Sequence, residues 1–106
     1  MRRLEGRVAL VTGSSRGIGA AIAQLFARHG ARVAVHGRDG AALDAVKRRI
    51  ERDGGTAMTV AADVTRFAEL ERAREAIERT FGPIEILVAN CRRKLVSGRR
   101  RARPPR

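Results

Sequence analysis

Val8-Ala9-Leu10-Val11-Thr12-Gly13-Ser14-Ser15-Arg16-Gly17-Ile18-Gly19 is the stretch on which the fold of this chain turns. The four apolar residues Val8 to Val11 read as a buried strand. Beyond the glycines, Ala20-Ala21-Ile22-Ala23-Gln24-Leu25-Phe26 reads as a helix. A glycine-rich turn between a strand and a helix points the first backbone N–H groups of the helix at one spot, where the positive end of the helix dipole favours an anion. Gly13 permits the sharp turn, Gly17 lets a phosphate approach the backbone with no Cβ in the way, and Gly19 lets the helix lie close on the strand. The pyrophosphate of a dinucleotide suits such a cradle.

Outward from this stretch, strands and helices alternate. Arg28-His29-Gly30 closes the first helix, with a basic residue in its last turn and Gly30 as its terminal cap. Arg32 to His36 reads as a second strand and Gly37-Arg38-Asp39-Gly40 as a turn, with Asp39 placed to cap the next helix. Leu43, Val46 and Ile50 then recur at helical spacing, and Gly54-Gly55 ends that helix. Thr56 to Ala61 makes a third strand and Asp63-Val64-Thr65 a turn in which Asp63 is placed to cap the third helix. That helix carries Leu70, Ala73, Ile77 and Phe81 on one side. Gly82-Pro83 stops it, and Ile84 to Ala89 reads as a fourth strand.

This order predicts an α/β domain over residues 1–91, a partial Rossmann-type doubly wound parallel sheet, β-α-β-α-β-α-β, with strand order 3-2-1-4. The strands are near-continuous apolar runs, as expected where both faces of a sheet are covered.

The pattern Thr12-Gly13-x-x-x-Gly17-Ile18-Gly19 resembles the cofactor loop of the short-chain dehydrogenase/reductase family, and three further places add to the resemblance. At the end of the second strand stand Gly37-Arg38, with no carboxylate at the strand end itself. An acidic residue there binds the ribose hydroxyls, whereas Arg accommodates a 2′-phosphate. Arg38, with Arg16 in the glycine loop, therefore favours NADP(H) over NAD(H). Asp39 becomes a ribose ligand only if the turn shifts by two residues. After the third strand comes Ala62-Asp63-Val64, where the resemblance implies that Asp63 accepts from the adenine amino group and Val64 lines that pocket. Leu87-Val88-Ala89-Asn90 is similar to the start of the family's Asn-Asn-Ala-Gly segment, and Asn90 retains the second Asn, which in relatives sits beside the cofactor ribose. The resemblance thus implies a cofactor site made of Gly13, Ser15, Arg16, Gly17, Ile18, Gly19, Arg38, Asp63, Val64 and Asn90.

Past Asn90 the family pattern stops, because Cys91-Arg92 stands where Ala-Gly is expected. The family's Tyr-x-x-x-Lys is missing, and the chain has no Tyr. The only serines are Ser14, Ser15 and Ser97, so the family's substrate-orienting serine is missing as well. Hydride transfer to a carbonyl needs an acid for the developing alkoxide. No catalytic residue can be assigned, and the chain alone is expected to be inactive. His29 and His36 read as scaffold residues, Cys91 has no recognisable His partner, and no metal site is read.

The 106 residues carry a net charge of +12 and 43% hydrophobic residues. Residues 1–91 hold 15 Arg or Lys and 11 Asp or Glu, a net +4, so the remaining +8 lies in residues 92–106. This Arg-rich tail is expected to be disordered, since Leu95 and Val96 are its only large apolar groups. An alternative function follows, a basic protein that binds nucleic acid through residues 92–106. No aromatics are interleaved for base stacking, so such binding would ignore sequence. The tail also reads as out-of-frame translation, because one T inserted into GCC-GGC (Ala-Gly) gives TGC-CGG (Cys-Arg). No apolar run approaches the ~20 residues that span a bilayer, and no secretory signal is read, so the expected location is the cytoplasm. Ending at the fourth strand is expected to leave an apolar edge, without the family's oligomer contacts, and hence marginal stability.

Overall fold

The computed structural model describes residues 3–90. The expected tail at 92–106 and the boundary at 91/92 lie outside the described residues. Four strands, β1 (Val8–Val11), β2 (Arg32–Gly37), β3 (Thr56–Ala61) and β4 (Ile86–Val88), alternate with three helices, α1 (Gly17–Arg28), α2 (Gly40–Arg52) and α3 (Phe67–Thr80). All pairings are parallel and the strand order is β3-β2-β1-β4, as expected. Val11 lies opposite Val35 on one side and Val88 on the other. The loops after β1, β2 and β4 therefore leave the sheet at one end.

One face of the sheet is covered by α1 and α2. There Ala9, Val11, Val33 and Val35 pack with Ala20, Ala23 and Ala27 of α1 and Leu43, Val46 and Ile50 of α2. Alanines on the buried side of α1 let that helix lie close to the strands. The opposite face is covered by α3, whose Ala73 and Ile77 pack on Val8, Leu10, Ala34, Val60 and Ala62. The apolar runs are not uniformly buried. β1 is buried throughout, whereas in β3 only Ala57 and Val60 are buried and Leu87 in β4 is 63% exposed. Both are edge strands, each paired on one side only, so the rule of two covered faces holds for the interior strands alone.

Three expectations are corrected. The first helix begins at Gly17, not Ala20, because the turn into it is completed by an extended Arg16 and a left-handed Gly17. The fourth strand spans Ile86–Val88, not Ile84–Ala89; at both ends side-chain bonds join the last backbone ones, Glu85 N–H to the Val8 carbonyl at 2.9 Å and Thr12 N–H to the Val88 carbonyl at 3.0 Å. At its start the carboxylate of Glu85 accepts from Val8 N–H at 3.2 Å. At its end the Thr12 hydroxyl accepts from Asn90 N–H at 2.8 Å. Asp63 does not cap α3. Its Oδ1 accepts from the backbone N–H of Thr65 at 3.0 Å and from the Thr65 hydroxyl at 2.6 Å. This is a local turn closed by the side chain, and Arg66, which stands at the cap position of α3, makes no side-chain cap bond. Asp39 does cap α2, accepting from Ala42 N–H at 3.2 Å. Gly30 sits just past α1 with φ 96°, where its carbonyl accepts from Gly6 N–H and ties the N-terminal turn to the helix end.

Among the described residues no helix is long and apolar enough to cross a membrane, and no cluster of three or more His, Cys, Asp or Glu is arranged to hold a metal ion.

Candidate functional site

The strand order reverses about β1, since β2 and β3 lie on one side of it and β4 on the other. Ligands of open α/β sheets bind in the crevice at the carboxyl ends of the strands beside such a reversal. Residues 12–16 leave β1 at that place.

Backbone and side-chain bonds from three strands hold this loop. The Ser14 hydroxyl donates to the Val11 carbonyl at 2.7 Å and accepts from His36 N–H at 2.8 Å. Ser14 N–H donates to the His36 carbonyl at 2.7 Å. Gly13 N–H donates to Nδ1 of the His36 ring at 3.1 Å, and the other ring nitrogen donates to the Ala62 carbonyl at 2.8 Å. On the β4 side, Thr12 N–H donates to the Val88 carbonyl at 3.0 Å, and the Asn90 side chain reaches the Gly13 carbonyl at 3.5 Å. Thr12, Ser14 and His36 are buried. None of the three was singled out as a site residue from sequence. The one available signal was a histidine closing an otherwise apolar strand.

Within this frame the glycines differ in what surrounds them. A Cβ on Gly19 would clash with the Gly13 carbonyl and lie 2.7 Å from Asn90 Nδ2, so only glycine lets α1 start so close to the loop and β4. Gly17 has φ 64°, and a Cβ there would meet nothing within 4 Å. Open space therefore stands before the first turn of α1. That turn contains no acidic residue, and Arg16 makes no side-chain cap bond. The first N–H groups of a helix have no intrahelical partner. The cradle thus offers donors, a positive dipole end and room, which is what a diphosphate requires. Ser15 lies over Gly37, where a Cβ would come within 3.1 Å of it. Ile18 is exposed at the cradle's rim.

The other expected residues gather around the ends of β2 and β3. Arg16 reaches across to Asp39 at 3.0 Å, and Arg38 to Asp63 at 3.7 Å. Asp39 is thereby occupied twice, by the helix cap and by Arg16. An open groove of about 290 Å³ is lined by Arg38, Ala61, Ala62, Asp63, Arg66 and Glu69. Glu69 of α3 accepts from Asp63 N–H at 2.8 Å and so fixes the turn that carries Asp63 and Val64.

The Asp63 carboxyl is held below its ordinary value. Its bonds from the Thr65 hydroxyl and N–H are the main cause, partial burial opposes them, and the charges of Arg38 and Arg66 add to them. A depressed carboxyl contributes stability that is present above the unfolded value, about 3.9, and lost as pH falls through the lower folded one. Following the Asp63 carboxyl by NMR should place its midpoint below that of an ordinary aspartate. Thr65→Val should move it upward, and a midpoint unchanged by that substitution would remove Thr65 as the cause.

An open parallel sheet with a glycine-rich loop at its switch point defines a Rossmann-type fold. The comparisons make the class particular: the family model described as short chain dehydrogenase matches residues 7–98, and the chain belongs to that family. The match runs past Asn90, farther than the motifs alone carried the resemblance. Gluconate 5-dehydrogenase of Gluconobacter oxydans is 45% identical over 88 residues, 83% of this chain and 34% of that protein. A metagenomic short-chain oxidoreductase solved with NADP is similar at 40% identity and a TM-score of 0.76, over 79% of this chain and 38% of the other. L-sorbose reductase of Gluconobacter frateurii, solved with NADPH and L-sorbose, is similar at 34% identity and a TM-score of 0.82, over 87% of this chain and 35% of the other. The chain spans about a third of the length of these relatives.

Proposed function

We propose that this chain binds NADP(H), with the pyrophosphate at the start of α1, the 2′-phosphate between Arg16 and Arg38, and the adenine against Asp63 and Val64. Gly13, Ser15, Gly17, Ile18 and Gly19 form the cradle, and Asn90 lies on the ribose side. When bound, the cofactor supplies the hydride for the carbonyl and alcohol chemistry of the family. The chain's own residues bind and orient it. With no Tyr among the 106 residues, no Tyr-x-x-x-Lys acid is at hand, and the chain by itself is proposed to hold cofactor without turnover.

One observation carries the choice of NADP(H) over NAD(H): the carboxylate beside the end of β2, Asp39, is occupied by the α2 cap and by Arg16, while Arg38, which directly follows β2, is held only by Asp63 at 3.7 Å. Both guanidiniums are largely exposed in their ion pairs, and pairs with an exposed partner are weak. A phosphate dianion can displace them with stronger, bidentate bonds. Fluorescence titration is practical because the chain contains no Trp. NADPH should bind at least roughly tenfold more tightly than NADH. Hydrogen bonds to charged groups contribute about 1.5–3 kcal/mol, so Arg38→Gln should weaken NADPH by roughly 10- to 100-fold and leave NADH nearly unchanged. Equal affinities for the two cofactors, with no selective effect of Arg38→Gln, would reject the assignment.

A further inference from the structure

We propose that Arg66 is a cofactor-binding residue whose guanidinium lies on the face of the adenine ring in the groove at the end of β3. The inference rests on the NADP(H) reading and adds to it a residue that serves its own helix badly.

Arg66 stands at the cap position of α3 with extended backbone, φ −109° and ψ 111°, and makes no side-chain cap bond. Helix N-caps favour side chains that accept a hydrogen bond from the first turn. A guanidinium only donates. Its positive charge also opposes the positive end of the helix dipole. The residue therefore works against the helix it precedes, and such local conflicts are expected where a side chain serves a site. Its charge acts on Asp63 instead, where it adds to Arg38 and the Thr65 bonds in holding the carboxyl below its ordinary value.

The groove has the parts that a flat base requires. Ala61 and Ala62 line it with nothing longer than a methyl group, and Asp63 brings an acceptor. Glu69 ties Arg66 to this turn. One of its carboxylate oxygens accepts from Asp63 N–H at 2.8 Å, and the other lies 3.3 Å from Arg66 Nε. A guanidinium pairs through the N–H groups on its rim, and its planar faces stay open to a ring. Bases stack on such planes as they do on aromatic side chains. The Arg66 side chain is 69% exposed, so it can turn onto a base without breaking a buried contact. Phe67, the next residue, is 74% exposed but does not line the groove. The 2′-phosphate, assigned above to Arg16 and Arg38, is carried by NADP(H) alone, whereas adenine is common to both cofactors. Arg66 should thus add affinity without adding preference.

The test titrates the full 106-residue chain with NADPH and with NADH. Arg66→Ser should weaken both by the same factor, roughly 5- to 30-fold, the usual strength of a cation over an aromatic face. The same variant should melt at or above the native Tm, because serine caps helices and arginine does not. Arg66→Lys keeps the charge but not the planar group, and should bind like Arg66→Ser rather than like the native chain. Phe67→Ala should leave both affinities unchanged. Native affinity in Arg66→Lys would mean that charge alone acts, and would overturn the stacking. Unchanged affinity in Arg66→Ser, or a loss confined to NADPH, would overturn it as well. An Arg66→Ser chain that melted lower yet bound as before would show that Arg66 holds the helix and not the base. Each of those results leaves the NADP(H) reading standing. A native chain that bound neither cofactor would defeat that reading, and this inference with it.

Discussion

Gly19→Ala should cost the domain about 1–3 kcal/mol and reduce NADPH affinity by roughly a hundredfold, the largest functional loss expected of any single methyl group in the chain. The added carbon would clash with the Gly13 carbonyl oxygen, lie 2.9 Å from the Gly13 carbonyl carbon and 2.7 Å from Asn90 Nδ2. Neither neighbour can step aside cheaply. Gly13 is held by the His36 ring, and Asn90 is held through its N–H by Thr12. The helix must lift from the loop instead, and with it the N–H groups that face the anion. For a domain of this size each kcal/mol corresponds to roughly 4–8 °C in Tm, so thermal melts should show a clear drop in a chain that still folds. Gly40→Ala is the control. It also lies in the first turn of a helix, but its added carbon meets nothing within 4 Å and its φ is not left-handed. It should leave NADPH binding unchanged and Tm equal or higher. A Gly19→Ala chain that bound NADPH like the native one would show that the close approach of α1 to the loop is not what shapes the cradle.

The contrast between these two glycines marks what sequence could and could not convey. The glycine spacing after an apolar run located the cradle, and the alternation of apolar runs with amphipathic segments gave the strand order, because both depend on local periodicity and on a handedness rule. The frame that holds the cradle is different in kind. Ser14 and His36 are 22 residues apart, and nothing local in either position announces that each supplies the other with a backbone or hydroxyl partner. Asp63 looked like a helix cap because it stands shortly before α3. Thr65 is nearer, and its hydroxyl and N–H take the same oxygen. Apolar character runs from Ile84 to Ala89, whereas the ladder covers Ile86–Val88, and at its ends Glu85 and Thr12 add side-chain bonds that no apolar count reveals. Arg16 and Arg38 were placed at the right end of the sheet, but their pairing with Asp39 and Asp63 depends on how three loops converge.

Ile77→Ala should destabilise the domain by about 2–5 kcal/mol, the range for deleting a large core side chain. Its effect should reach the adenine turn as well. Ile77 is fully buried, and it is the largest such side chain on the face that α3 covers. Its companions there include Ala34, Ala62 and Ala73, which are too small to close the cavity by shifting. A domain of this size has roughly 5–15 kcal/mol in total, so the loss is a large share of it. The same helix carries Glu69, whose carboxylate holds Asp63 N–H. When α3 loosens, that bond loosens with it, and Asp63 loses the backbone support that presents its carboxylate. Urea unfolding should give the lower midpoint. Amide exchange under native conditions should rise over Asp63 to Arg66 more than at Ser14, whose partners lie on β1 and β2. Leu43→Ala, a comparable deletion on the face covered by α1 and α2, should lower stability by a similar amount without that local rise. Equal exchange in the two variants would mean that the two faces of the sheet unfold as one unit, and that α3 supports the adenine turn no more than any other element does.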